Sequence, residues 1–543
     1  MIKPLELREP RPIKLPTGGY STTDDVWAML KAGYDGDLDR MKELAASNPA
    51  LLKCEYNYTP PMHFAVREGH VDMVRYLIDQ VGFDASYRSY PFLDPYLTIA
   101  QDHDHHEIAQ IILKIVSKQF PVAEGLDDFL KAARDGDIAR VRSELTRDPK
   151  LVESSNNFGE TALHKAAEAG NIEVIAALLD AGANPDAIRA DGLRPINCAF
   201  RVRGRSAQYA GMIAGLLLAR GAKYNIYLAA VFGDDDYVRR ALERDSSLAN
   251  FEDSSHHRPL SAAARRNDLD MVRLLLHHGA NPNSPEEGAP VGEALWIAVF
   301  QRQHEMAKLL LEHGANPNTA PESSGSALLQ ARGDEVLTKL LLDHGAEDKA
   351  GDMREFQVAI SDNNLAKVEE FLNENPDLAL NDNVFWGEGV LCGPVKGQRQ
   401  EMVELLMSYG ARVPDVTKWG KEYYFKHYDM AKMLMERGMN PNHMTWHHVT
   451  LLHDMAWTGA IEKAKLLLDY GADINPIEEE YRSTPLGLAA RWGNREMVEL
   501  LIERGADVNK AGAPWAMPLA WARKKGHADI EADLLAAGAA ESP

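Results

Sequence analysis

The chain is 543 residues long, with a formal net charge of −22, 45% hydrophobic residues and three cysteines. So acidic a balance argues against a general nucleic-acid binder, and Cys54, Cys198 and Cys392 stand too far apart for a metal or disulfide spacing. No run approaches the ~18 apolar residues of a membrane span, and Pro4, Pro10, Pro12 and Pro16 interrupt the start where a secretory leader needs an apolar core; a soluble, cytoplasmic protein in a reducing compartment is expected.

Residues 1–24 form a proline-punctuated arm carrying Lys3, Arg8, Arg11 and Lys14. The arm is expected as a disordered leader, with Leu5, Leu7, Ile13 and Leu15 offering the alternative of a strap. From residue 25 onward a helix–turn–helix unit recurs, and its clearest copy runs from Gly159 to Ala187. Thr161 can cap the first helix, Ala166 and Ala167 allow close helix approach, and Gly170 supplies a left-handed stop. Val174, Ile175, Leu178 and Leu179 recur at helical spacing, and Gly182 to Asp186 lead into a turn. One such unit cannot bury its own apolar face, so it needs neighbours of its kind.

Those neighbours are present. His63-Phe64-Ala65 with Gly69-His70, Leu451-Leu452-His453 with Gly459, and Thr484-Pro485-Leu486 with Gly493 repeat the pattern, as do Gly-Ala exits at 279–280, 314–315, 345–346, 410–411, 471–472 and 505–506. These motifs resemble the ankyrin-repeat family, whose period is about 33 residues. The resemblance implies an all-α ankyrin-repeat solenoid of about sixteen helix–turn–helix units with short β-hairpin tips, wound into a curved superhelix.

Four units depart from the signature. They read Gly-Asp or Asn-Asn, a helix, then an exit ending in leucine: 36–51, 136–151, 233–248 and 363–378. They divide the array after the arm into blocks 25–125, 126–223, 224–352 and 353–543, the last with a C-terminal capping repeat. Ser86–Pro95, Arg201–Met212 and Ser284–Glu293 are insertions. Between Glu388 and Tyr428 two units have lost the signature, and Pro394, Val395, Glu422 and Tyr423 stand where small residues belong. Bulky residues there are expected to spread the helices and open a pocket, which makes 385–453 the expected functional segment.

Nineteen histidines invite a metal site, but eleven of them occupy repeat slots. His443, His447 and His448 share one loop, yet no cysteine or fixed carboxylate completes a ligand set, so neither metal nor cofactor is expected. The family resemblance leaves the hairpin tips and the two positions after the Ala-Ala pair for recognition. Here these slots supply Tyr56, Tyr58, Arg88, His256, His257, Arg265, Trp386, Trp446, His447, His448, Trp457, Arg491 and Trp492. Aromatic residues and arginine dominate binding hot spots. The reading is therefore a non-catalytic scaffold that binds a protein or peptide segment in its concave aromatic and basic groove, without nucleic acid or membrane. Catalytic motifs are absent, which leans away from an enzyme. The alternative is an enzyme or sensor for a carbohydrate or sugar acid, with Trp386 and Trp446 stacking, Arg265 or Arg491 gripping a carboxylate and His257 or His448 moving a proton.

Overall fold

The repeat signature works as capping chemistry. At the start of the helix Ala162–Ala169, the Thr161 hydroxyl accepts from the His164 amide at 3.4 Å and His164 Nδ1 accepts from the Thr161 amide at 3.2 Å. The other ring nitrogen lies 3.1 Å from the Leu193 carbonyl in the next repeat. Thr450 and His453 reproduce the arrangement against the Ser483 carbonyl. Each imidazole satisfies an orphan amide and ties two repeats together. Burial pushes both rings down to about 4, so they are neutral near pH ~7. Gly170 and Gly459 end their helices at φ of 86° and 70°, a conformation glycine adopts without strain.

The computed structural model describes the chain except residues 9, 16–19, 121–122, 124, 201–206, 287–288, 290, 320–325, 332, 348–350, 383 and 542–543, and the side chains at 14, 207–208, 351–354 and 386. Helices follow one another in antiparallel pairs, from Thr23–Asp35 with Leu38–Ser47 to Pro518–Lys525 with Ala528–Ala536. Turn residues stitch successive pairs: His70 Nε2 lies 2.9 Å from the Tyr34 carbonyl, and the Asn494 amide donates to the Ala456 and Trp457 carbonyls at 2.8 and 2.9 Å. The four departing units each close in a 3-10 turn, at Pro49–Lys53, Pro149–Val152, Ser246–Asn250 and Pro376–Leu380, capped by Asn48, Asp148, Asp245 and Asn375. Strand structure among the described residues is slight. Pro12–Lys14 pairs with Tyr20–Thr22, Val416–Thr417 pairs with Met444–Thr445, and tips such as Ser155 with Thr161 hold a single bridge.

The chain forms two compact units. The first comprises Met1–Val81, Ser89–Ala109 and Ala350–Pro543; the second comprises Gly82–Arg88 and Gln110–Lys349. The first therefore joins the opening repeats directly to the closing ones. The described residues of the arm are ordered, not the disordered leader expected. Leu5–Arg8 is helical, and Leu7 and Leu15 are buried in the first unit, because both leucines find apolar cover there. No helix of the described residues is long and apolar enough to cross a membrane.

Candidate functional site

In the second unit a cleft of about 420 Å³ opens between the first helices Ile226–Phe232 and Pro259–Arg265 and the neighbouring hairpin tips. Asp253 builds its tip. This buried carboxylate accepts from the Ser255 and His257 amides at 3.0 and 2.9 Å and from the Asn197 side chain at 3.2 Å. That turn presents Ser255 and His257 to the cleft, where His257 pairs with Tyr227 at 6.0 Å between ring centroids. Phe200, Leu228 and Val231 form an apolar wall. Arg265 and Arg266 stand at the mouth, and Arg265 Nη2 donates to both oxygens of Glu293 at 3.0 and 3.1 Å. Below them Glu286 accepts from the Ser261 hydroxyl and from the Arg258 amide. Burial pushes its carboxyl up to about 7, so near neutral pH it both donates and accepts. An apolar wall with a few convergent polar groups is the makeup of a ligand pocket.

Of the residues expected at a recognition surface, His257 and Arg265 line this cleft. His256 points outward and pairs with Glu252. Arg88 lies over the Phe158 ring at 4.3 Å and donates to the Tyr87 carbonyl at 2.7 Å. Tyr227, Ser261 and Glu286 escape sequence reasoning, because Tyr227 occupies a helix slot that reads as core and Glu286 sits in a loop of irregular composition.

In the first unit most of the corresponding slots face inward. Glu480 is buried and accepts from Arg67 Nη1 at 2.6 Å, with His447 Nδ1 at 2.5 Å and His63 Nε2 at 3.0 Å. Burial opposes its ionisation, but His63, Arg67 and His447 hold the carboxyl well below its usual range. His448 turns instead to Glu479 at 2.8 Å, so the adjacent histidines serve different carboxylates. Trp446 is buried beneath the arm, its carbonyl accepting from the Ile2 amide at 3.1 Å, and Tyr56 donates to Glu6 at 2.7 Å. Tyr58 is exposed at φ 61°. The Trp386 side chain lies outside the described residues.

The 86–95 insertion supplies the other half of this interior. Ser89 and Asp94 close a turn that drives Phe92 between Trp457, Tyr481 and Trp492, with ring centroids 5.8, 5.3 and 5.1 Å away. Asp94 accepts from Arg491 Nη2 at 3.0 Å and from the Tyr481 hydroxyl. Arg491 also donates to Asp102 through Nε at 3.1 Å and Nη2 at 2.6 Å, and Lys525 joins Asp102 at 2.9 Å. Among the described residues the expected opening of the 385–453 segment is not seen. A hollow of about 10 Å³ remains there beside Leu5 and Glu6, because Tyr424 and Phe425 pack inward and Glu6 pairs with Lys418. Among the described residues no group of three or more His, Cys, Asp or Glu is placed to hold a metal ion.

Paired helices, repeated along the chain and stitched by turn side chains, define a helical repeat protein. A family profile described as ankyrin repeats in three copies matches residues 129–227 and 422–512. Single-repeat profiles match 256–286, 294–320 and 58–86, and together the matches cover just over half of the sequence. The chain belongs to the ankyrin-repeat family. It is 26% identical to the E3 ubiquitin-protein ligase KEG of Arabidopsis thaliana over 71% of this chain and 19% of that protein. Against the putative ankyrin repeat protein FPV014 of fowlpox virus it is 33% identical, over 23% of this chain and 29% of that one. The human transient receptor potential cation channel subfamily A member 1 is 22% identical, over 72% of this chain and 28% of that one. The chain thus spans less than a third of the length of each of these relatives. The solved human ASB11 ankyrin repeat domain is 22% identical, with a TM-score of 0.26 over 40% of this chain and 98% of that domain. Ankyrin repeats generally mediate protein–protein interaction.

Proposed function

We propose that this chain is a non-catalytic recognition protein that captures a protein segment on its groove face, through the hairpin tips and the side chains that follow the Ala-Ala pair. The observation that carries this reading is the cleft of the second unit. Its volume of about 420 Å³ suits one or two bulky side chains, and arginines and an aromatic pair converge on it. These are the residue types that supply most of the energy at protein interfaces. The test is selection from a random-sequence peptide library on the full chain. Peptides should be enriched, and Val231→Trp, which fills the cleft, should weaken them about tenfold or more, near 1.4 kcal/mol. Enrichment indifferent to Val231→Trp would move recognition elsewhere. A thermal shift with sugars or sugar acids that Val231→Trp abolishes, without peptide enrichment, would replace this reading with the small-ligand one, which the half-enclosed volume and the Glu286 carboxyl favour.

A further inference from the structure

The repeat register relates the cleft of the second unit to a slot that the first unit fills with its own chain. Pro259-Leu260 with Ala263-Ala264 superposes in sequence on Pro485-Leu486 with Ala489-Ala490. In that alignment Arg265 falls on Arg491, Arg266 on Trp492 and Ser255 on Tyr481. The left-handed residues agree as well, His256 at φ 60° with Arg482 at φ 49°. One repeat earlier, Gly233 and Gly459 end matching helices, so Val231 falls on Trp457. The positions that line the cleft are therefore those that, in the first unit, enclose Phe92 and hold Asp94.

The first unit thereby displays a bound segment in this groove. It is a tight turn whose aromatic ring enters a cage while the carboxylate two residues on meets the arginine after the Ala-Ala pair. In the second unit that arginine is kept, and the cage is cut back from tryptophan to valine at 231 and from tyrosine to serine at 255, while Arg266 replaces the tryptophan at 492. The result is a deeper cavity with the same cation at its rim. Among the described residues Arg265 pairs with Glu293, on a side chain that is 57% exposed, and such exposed pairs exchange partners at little cost.

We infer that the cleft takes a partner-protein segment in which a bulky aromatic residue stands two places before an aspartate or glutamate, the ring in the cavity and the carboxylate on Arg265. This inference rests on the reading of the cleft as a segment-binding site. Because Val231 and Ser255 leave more room than Trp457 and Tyr481, a tryptophan at the aromatic position fills the cavity better than phenylalanine.

The probe is a labelled peptide of residues 87–95 of this chain, titrated against the full protein by fluorescence anisotropy. Phe92→Ala and Asp94→Asn in the peptide should each weaken binding about tenfold or more, and Phe92→Trp should tighten it. Val231→Trp in the protein should abolish it. Arg265→Glu should weaken the parent peptide and restore binding to a peptide carrying Asp94→Lys. The two protein variants touch the cleft wall and an exposed side chain, and unchanged melting confirms their fold. Binding that survives Val231→Trp, or that ignores both peptide substitutions, overturns the inference. If the probe fails while library peptides still bind and are lost in Val231→Trp, the motif is wrong and segment recognition stands. If neither binds, both readings fall.

Discussion

Arg491→Met tests whether the interior of the first unit is held by charge. The substitution roughly conserves volume and keeps a polarisable side chain against Tyr481 and Trp492, whose ring centroids lie 4.0 and 3.9 Å from the guanidinium. What it removes are the bonds to Asp102 at 2.6 and 3.1 Å and to Asp94 at 3.0 Å. Breaking a buried pair costs about 3–5 kcal/mol when one charge is stranded. Here Lys525 still reaches Asp102 and the Tyr481 hydroxyl still donates to Asp94, so the lower end applies, about 3 kcal/mol. Arg265→Met is the matched control. It occupies the same repeat position but breaks one exposed pair, worth about 0–1 kcal/mol. Urea unfolding of the full chain, followed by tryptophan fluorescence, reads both, since Trp492 and Trp521 lie against Arg491. Asp94→Asn should cost less in the Arg491→Met background than in the wild type. If Arg491→Met costs no more than Arg265→Met, burial of this cluster does not make its charges matter and the reasoning fails.

Glu388→Gln tests a buried carboxyl. Burial pushes Glu388 up to about 7 although the Lys418 and Trp419 amides donate to it at 2.7 and 3.0 Å. Its folded-state pKa is raised, so the folded protein keeps a proton that the unfolded chain releases, and stability falls as pH rises from about 4.3 to about 7. Glutamine should therefore stabilise by about 3–4 kcal/mol at pH ~8 and by about 0 at pH ~4.5, and equal effects at both would refute the assignment. Gly192→Ala should destabilise by about 3 kcal/mol or more, since at φ 78° a Cβ would stand 1.5 Å from the Ser254 carbonyl oxygen. Gly182→Ala, at φ 94° with nothing within 4 Å, isolates the backbone share of about 1–2 kcal/mol, and similar melting temperatures for the two would contradict the clash.

Features that depend on a few neighbouring residues were legible in the sequence. Thr161 with His164, Gly170, and the capped turns at Asn48 and Asp148 follow from the chemistry of a single repeat. The environment of the groove slots was not, because it depends on what covers them. Arg265 and Arg491 are the same residue in the same register, yet one is exposed and the other is buried against Asp94, 397 residues away. Trp446 reads as an open tip aromatic and is covered by the arm. The bulky residues between Glu388 and Tyr428 read as a wedge. Instead Pro394 and Val395 are buried, and Tyr424 and Phe425 turn into the core beside them.

The closure of the first unit has a consequence for biosynthesis. In a linear array each repeat can consolidate as soon as its neighbour emerges from the ribosome. Here residues up to Ala109 need side chains that lie beyond Ala350, and Gln110–Lys349, nearly all of the second unit, is made between them. At about 5–20 residues per second that interval is on the order of 10–50 s. Throughout it, Phe92, His63 and Arg67 wait without their burial sites, while the second unit has everything it requires to fold. The nascent chain thus folds its middle before its beginning, and the opening repeats are the stretch in greatest need of protection by a chaperone.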